Sequence, residues 1–190
     1  MMIRDLIIKN RSYRRFFQDF AIERQVLAEL VDLARLSASS ANFQPLKYIL
    51  SCEPQKNALI FPHLGWAGFL KDWAGPAEAE RPSAYIIILG DTQISKSAIY
   101  DGAIAAQSIL LGAADRALGG CMIGSIKKEK LRKDLNILPR YEILLVLALG
   151  KPKEKVVIET VGPGGDIKYW RDEEGVHHVP KRPLDEIIID

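Results

Sequence analysis

Residues 11–15, with the sequence RSYRR, place three arginines and a serine within five positions of the chain. The planar guanidinium of arginine forms paired hydrogen bonds with phosphate oxygens, and a serine hydroxyl adds a neutral donor. If the preceding helix continues into this segment, its arginines share one face. The segment therefore predicts a phosphate-binding site, and a solvated basic turn is the alternative interpretation.

A second group of polar side chains forms the loop at residues 37–45, SASSANFQP. The amides of Asn42 and Gln44 each offer a donor and an acceptor, which the edge of a heteroaromatic ring such as a pyrimidine or flavin requires. We expect Pro45 to force Gln44 towards an extended conformation. The loop predicts contacts with such a ring, although an ordinary polar loop has a similar composition.

Other reactive residue types are sparse. Adjacent side chains on a strand point to opposite faces, so His177 and His178 are poor candidates for a pair of metal ligands. Cys121 lies in a predicted buried strand and is expected to be a packed side chain and not a nucleophile. The sequence contains neither GxGxxG nor GxxxxGK[ST]. The chain is therefore either a binding module or a protein whose cofactor supplies the reactivity.

The central helix predicted at residues 99–118 must position these groups. It is apolar on nearly all sides, which predicts burial all round. Gly102 and Gly112 inside it predict closely packed neighbours. The helix is expected to stop at Gly119 and Gly120 and to lead into a short strand at 121–123. Charged residues interrupt it too often for a membrane span, which needs about 20 apolar residues.

The remaining pattern alternates helices and strands in one domain over residues 1–190. Strands 84–89 and 143–149 are uninterrupted apolar runs, typical of strands that are covered on both faces. The aromatic segment 61–75 predicts either a core flap or a lid beside a planar ligand, and residues 151–155 predict a polar turn. Further elements are expected as helices at 2–9, 23–36, 54–59 and 127–135 and a strand at 46–51. The fold class is α+β.

The C-terminal run at residues 184–189 is largely apolar. An exposed strand of this kind invites pairing with another chain. We therefore expect it to join the sheet of a second subunit in a homodimer.

Composition narrows the function classes. A chain of 190 residues with 48% apolar and 26% charged residues is typical of a soluble globular domain. A net charge of +2 does not indicate a nucleic-acid partner. Two distant cysteines, Cys52 and Cys121, form no disulfide framework, and the N-terminal residues do not resemble a signal peptide. We expect a cytoplasmic protein with no membrane, nucleic-acid or metal partner.

Five motifs, in order, resemble those of the FMN-dependent nitroreductase family. Residues 11–16 resemble its N-terminal RRSxRxF signature, and residues 37–45 its APSSxNxQPW loop. Residues 101–124 resemble its long helix and following strand. Residues 149–152 and 181–184 resemble its closing GxP and RxPLEE segments. Departures from the family pattern are an asparagine at position 10, often arginine in the family, and a leucine at position 46, usually tryptophan.

The resemblance implies a three-layer α/β/α sandwich with a mostly antiparallel sheet, and a homodimer with exchanged C-terminal strands. It implies two FMN sites at the interface, each built from both chains. Arginine and serine would grip the phosphate, the amide loop would contact flavin across the interface, and the strand backbone would approach N5. The FMN-binding residues so implied are Arg11, Ser12, Arg14, Ala38, Ser39, Ser40, Asn42, Gln44, Met122, Ile123, Gly124, Lys181 and Arg182.

The implied activity is transfer of hydride from NADH or NADPH through flavin N5 to a nitroaromatic, quinone or similar small oxidant, by a ping-pong mechanism. No catalytic side chain is expected, since the flavin carries the chemistry. Three alternatives stay open: an FMN-binding protein for sensing or storage, a reductive dehalogenase or dehydrogenase on the same scaffold, and a basic arm that binds nucleic acid.

Overall fold

A five-stranded antiparallel sheet forms the centre of the computed structural model, which describes residues 2–162 and 165–190. The strand β3 lies between β2 and β5, and the far edge of β5 pairs with β4 and β1. The strands of this sheet are β1 (Phe16–Phe17), β2 (Leu46–Ser51), β3 (Ala84–Asp91), β4 (Gly119–Ile123) and β5 (Tyr141–Pro152).

Helices cover both faces of this sheet. Along β3, Ile86 and Ile88 belong to the core cluster on the side of α2 and α4, whereas Tyr85 and Ile87 belong to the cluster on the side of α3 and α5. Both predicted apolar strands are thus buried on both faces, and the three-layer α/β/α sandwich is confirmed. The helices are α1 (Ile3–Lys9), α2 (Arg24–Arg35), α3 (Pro54–Ile60), α4 (Ile99–Asp115) and α5 (Lys128–Asp134).

The central helix α4 packs closely on α2, as its glycines predict: a Cβ atom at Gly112 would collide with Leu33. The prediction that this helix is buried on all sides is wrong for the single chain, however. Ile99, Tyr100 and Ile104 are 66%, 78% and 41% exposed, because α2 and the sheet cover only one side of the helix. An apolar face of α4 is therefore left without a neighbour among the described residues.

The predicted helix end is also wrong. The helix stops at Asp115, and Ala117 takes the left-handed conformation with φ +57°. Gly119 and Gly120 already belong to β4. Close packing is the reason for a glycine at position 120, because a Cβ there would lie 2.6 Å from the carbonyl oxygen of Ala148.

A second, three-stranded sheet follows β5. Its strands are β6 (Val156–Thr160), β7 (Trp170–Arg171) and β8 (His177–Lys181). The central strand β8 runs parallel to β6 and antiparallel to β7. This sheet was not predicted from the sequence, since its strands are short and rich in polar and aromatic residues.

The C-terminal run begins with a 3₁₀ turn at Leu184–Glu186 and forms no strand within its own chain. Leu184, Ile187, Ile188 and Ile189 are all more than half exposed. Pairing of this run with a second subunit stays a prediction. Within residues 2–162 and 165–190, no helix has the length and apolarity needed to cross a membrane.

Candidate functional site

Five of the predicted cofactor-binding residues line one cleft of about 360 Å³. The basic segment runs beside β4, where the Tyr13 N–H donates a hydrogen bond of 3.0 Å to the Gly120 carbonyl. Strand β8 of the second sheet forms another wall. The lining is Asn10, Arg11, Ser12, Arg14, Gln107, Leu110, Met122, Tyr169, His177, Val179 and Lys181. We call this space the basic cleft.

Arg14 is held in the basic cleft by neighbours from three parts of the chain. Its Nη1 donates to the Ser12 carbonyl at 3.3 Å and lies 3.1 Å from Nε2 of His177. Its guanidinium also lies 4.8 Å from the centre of the Tyr169 ring, a cation–π distance. Arginine can only donate, so His177 accepts through an unprotonated Nε2.

The backbone around Arg14 is fixed by Glu154, whose side chain is fully buried. This carboxylate accepts hydrogen bonds from the N–H groups of Arg14 and Arg15. Its second oxygen accepts from Nη2 of Arg171 at 2.8 Å, and the Arg171 guanidinium stacks over Trp73. Glu154 thus joins the basic segment to the second sheet. The sequence analysis placed it only in a polar turn.

His177 is a site residue that the sequence analysis considered only as a metal ligand. It is 1% exposed, and its Nδ1 has no hydrogen-bond partner. Burial, followed by the charges of Arg14 and Arg171, lowers the pKa of His177 to about 4. The ring is therefore neutral at pH 7 and can accept from Arg14.

His178 points the other way, as strand geometry predicts. Its Nδ1 lies 2.5 Å from Glu159 and its Nε2 lies 2.9 Å from Asp172. Hydrogen bonds to these carboxylates, that to Asp172 first, raise the pKa of His178. The two histidines share no ligand position, and the described residues hold no group of three potential metal ligands.

Two further cations in the basic cleft have unused hydrogen-bonding capacity. Arg11 donates from Nη2 to the Ile7 carbonyl at 2.8 Å, whereas its Nε is buried without a partner. Burial lowers the pKa of Arg11, and nearby Tyr13 raises it. Lys181 is exposed and forms no ion pair with the described residues. Cationic donors of this kind fit a phosphate group.

The amide loop lines a different cavity, of about 170 Å³, which we call the loop cavity. Asp101, 4% exposed at the start of α4, accepts from Ser39 Oγ at 2.5 Å and from the Ser40 N–H at 3.1 Å. Burial and the nearby Asp101 charge raise the pKa of Tyr48 to about 12. The lining is Ala34, Arg35, Ser37, Ala38, Ser39, Gln44, Leu46, Tyr48, Asp101 and Ala105, none of which lines the basic cleft.

The extended conformation predicted for Gln44 is wrong, because its φ is +53°. The Gln44 N–H donates to Ser39 Oγ at 2.9 Å, and its Nε2 donates to the Asn42 carbonyl at 3.2 Å. Ala41 and Asn42 also have positive φ values, of 46° and 57°. Hydrogen bonds within the loop therefore outweigh the steric preference that Pro45 imposes.

The remaining predicted residues do not line either space. Ile123 is 4% exposed and belongs to the apolar core. Gly124, Ser40 and Asn42 contribute to neither lining. Arg182 lies outside the basic cleft and pairs with Glu186 at 3.3 Å.

The aromatic segment 61–75 serves two purposes. Trp66 packs against the core cluster beside α3 and α5. Phe69 is 49% exposed and contacts Tyr169, with ring centres 5.0 Å apart. The segment is thus a core flap at one end and reaches a wall residue of the basic cleft at the other.

The fold and the site define an α+β protein with a cationic cleft beside its central helix. The sequence matches the nitroreductase family over residues 7–151, so the chain belongs to this family. No curated protein matches the sequence.

Solved structures show the same fold. A nitroreductase family protein from Clostridium novyi NT is 25% identical and aligns over 80% of this chain and 88% of its own, with a TM-score of 0.68. A nitroreductase family protein from Streptococcus pneumoniae TIGR4 is 17% identical over 100% of both chains, with a TM-score of 0.71. An FMN-dependent nitroreductase from Clostridium difficile R20291 is 21% identical over 80% and 89% of the two chains, with a TM-score of 0.66.

Proposed function

We propose that this chain is an FMN-dependent NAD(P)H oxidoreductase. The observation that carries the proposal is the convergence of Arg11, Ser12, Arg14 and Lys181 on one cleft. The buried Nε of Arg11 lacks an acceptor, and a phosphate group fits such a donor set. Membership of an oxidoreductase family, and the FMN dependence of the Clostridium difficile protein, support the choice of cofactor.

When bound, FMN supplies the redox chemistry: hydride transfer at N5 from NADH or NADPH to a nitroaromatic, quinone or similar small oxidant, by a ping-pong mechanism. The chain itself contributes binding and orientation. Arg11, Arg14 and Lys181 would hold the phosphate, with Ser12 as a neutral donor. Contacts with His177 and the Tyr169 ring hold the Arg14 guanidinium in position. Met122 lies on the wall that β4 forms.

We further propose a homodimer in which the amide loop of one chain completes the FMN site of the other. The basic cleft and the loop cavity share no lining residue, so one chain offers two partial sites. The exposed apolar face of α4, with Ile99, Tyr100 and Ile104, offers a surface for the second copy. The exposed apolar C-terminal run offers a further contact.

The phosphate assignment is tested by titrating FMN into the variant Arg14→Ala. Hydrogen bonds to charged groups are worth about 1.5–3 kcal/mol each, so we expect FMN affinity to fall by roughly 100-fold. The matched control is Arg116→Ala, which removes an exposed arginine that pairs with Glu29 and should leave affinity unchanged. Wild-type FMN affinity in Arg14→Ala would contradict the assignment.

Mixed dimers test whether two chains share each site. One chain carries Arg14→Ala and the other carries both Asn42→Ala and Gln44→Ala. If each site takes its basic cleft from one chain and its loop from the other, the mixed dimer keeps one intact site and binds FMN with wild-type affinity at half the stoichiometry. Complete loss of tight binding would mean that both elements act within one chain.

Turnover is tested on the FMN-loaded protein. We expect NADH or NADPH to bleach the flavin absorbance without oxygen, and a quinone to restore it. A flavin that neither cofactor reduces would indicate a storage or sensing protein.

A further inference from the structure

A separate cavity of about 340 Å³ lies on the face of the sheet that carries α3. It opens between this helix, the loop before α2 and the residues that lead into β3. Its lining is Gln18, Asp19, Ala21, Cys52, Pro54, Asn57, Ala58, Phe61, Arg81, Pro82, Ser83 and Tyr85. None of these residues lines the basic cleft or the loop cavity. We call it the α3 cavity.

Arg81 contributes an unpaired cation to the α3 cavity. Its guanidinium stacks on the Phe61 ring at 4.3 Å, and its Nε is buried without a hydrogen-bond partner. No carboxylate of the described residues lies within 4.0 Å of it, although Asp19 is on the same lining as an exposed residue. The backbone N–H of Arg81 donates to Oε1 of Gln18 at 3.1 Å, and its side chain forms no hydrogen bond with the described residues.

Two hydroxyl groups accompany this cation. Ser83 is 8% exposed, and its buried Oγ has no hydrogen-bond partner in the described part of the chain. Tyr85 is 1% exposed, and its hydroxyl forms no hydrogen bond with the described residues. Burial raises the pKa of Tyr85, and the Arg81 charge opposes that rise. The hydroxyl of Tyr85 is thus a neutral donor at pH 7.

The unsatisfied donors have an energetic meaning. A buried polar group without a partner costs about 1–3 kcal/mol, and more when it is charged. Arg81, Ser83 and Tyr85 all line this cavity, at the point where the chain enters β3. The same lining contains apolar residues, among them Ala21, Pro54 and Ala58. An acceptor that satisfies this set is anionic at one end and apolar at the other.

We propose that the α3 cavity binds a small organic carboxylate. The carboxylate accepts hydrogen bonds from Arg81, Ser83 and Tyr85, while the apolar part of the ligand contacts Pro54 and Ala58. This site is independent of the flavin, because it shares no residue with the basic cleft.

The test uses the full-length protein loaded with FMN, with benzoate as the probe and benzamide as its neutral isostere. The Arg81 Nε–H resonance is followed by ¹⁵N NMR during each titration. We expect benzoate to shift this resonance in a saturable manner and to bind at least about tenfold more tightly than benzamide, because benzamide lacks the charge. Equal affinities, or no saturable shift because the cavity holds only water, would overturn the proposal.

Two variants separate the α3 cavity from the flavin site. Ser83→Ala removes one neutral donor and should weaken benzoate binding by roughly three- to tenfold. Arg81→Gln should abolish this binding while FMN content stays at the wild-type level. Unchanged benzoate affinity in both variants would place the probe elsewhere and overturn the proposal. Because FMN content is measured separately, failure of the flavin proposal cannot be mistaken for this result.

Discussion

The basic cleft and the loop cavity are each held by one buried carboxylate, but the two carboxylates have different partners. Glu154 accepts from two backbone N–H groups and from the guanidinium of Arg171. Within residues 2–162 and 165–190, the donors to Asp101 are neutral: the hydroxyl of Ser39 and the N–H of Ser40. The charge of Glu154 is therefore compensated by Arg171, whereas Asp101 forms no ion pair in the part of the chain that the structure describes.

The two spaces therefore differ in how the charge that holds them is balanced. Residues distant in sequence meet at Glu154, so its loss disconnects the basic segment from the second sheet. Asp101 holds a surface loop whose Ser39 and Ser40 lie 62 and 61 positions away in sequence. A loop of this kind suits a contact that is completed only when a second chain arrives.

The largest effect is expected for Glu154→Ala. Removing one partner of a buried ion pair costs about 3–5 kcal/mol, because the other charge stays buried without compensation. Arg171 would be that charge. The free energy of unfolding from urea titration at fixed protein concentration measures the loss. The control Glu29→Ala breaks the exposed pair with Arg116 and should cost less than about 1 kcal/mol. Similar losses of unfolding free energy in the two variants would mean that Glu154 does not join the basic segment to the second sheet.

His177 gives the basic cleft a pH dependence below pH 6.5. Its folded pKa of about 4 lies below the ordinary value of 6.5, so the unfolded chain gains a proton first as pH falls. Stability then declines from pH 6.5 to pH 4, by up to about 3 kcal/mol. His177→Gln still accepts from Arg14 but cannot titrate.

We expect unfolding curves at several pH values to show a smaller decline for His177→Gln than for the wild type in this window. His178→Gln is the matched control. The pKa of His178 is raised, so its stabilisation is complete below pH 6.5 and is lost as pH rises through the folded value. Its removal therefore changes the profile above pH 6.5. Identical wild-type and His177→Gln profiles would show that His177 is not held neutral.

A smaller effect is expected at the loop. Asp101→Ala leaves Ser39 and Ser40 without their acceptor and should cost about 2 kcal/mol, with faster hydrogen exchange at the Ser40 N–H. Asp115→Ala is a control on the same helix. This exposed aspartate is the last residue of α4, where a negative charge is unfavourable, so its removal should be neutral or slightly stabilising. Unchanged exchange at Ser40 in Asp101→Ala would contradict the role of Asp101.

The sandwich and the two polar segments were predictable because their signals are local. The uninterrupted apolar runs 84–89 and 143–149 predict strands covered on both faces, and the pattern of arginines at 11–15 predicts an anion site. The second sheet was not predictable in this way. Strand β7 has only two residues, Trp170 and Arg171, and is stabilised by pairing with β8, a contact that periodicity does not report.

Glu154 and His177 were not predicted as site residues for a related reason. Nothing in the sequence separates Glu154 from an ordinary surface glutamate, since its burial depends on Arg14 and Arg171 arriving from distant positions. Similarly, the partner of His177 lies 163 positions away. A single histidine flanked by polar residues carries no signal of such a partner. Long-range polar contacts are therefore the part of the site that only the fold reveals.

The smallest effect is expected for Arg182, and it tests which C-terminal cation belongs to the basic cleft. Arg182 forms an exposed pair with Glu186, so Arg182→Ala should change stability by less than about 0.5 kcal/mol and leave FMN affinity unchanged. Lys181 lines the basic cleft, and Lys181→Ala should weaken FMN binding by roughly tenfold through loss of one charge-assisted contact. The FMN titration used for Arg14→Ala measures both variants. A larger loss of affinity for Arg182→Ala would assign the contact to Arg182, because a shift of one residue along β8 turns the other side chain towards the cleft.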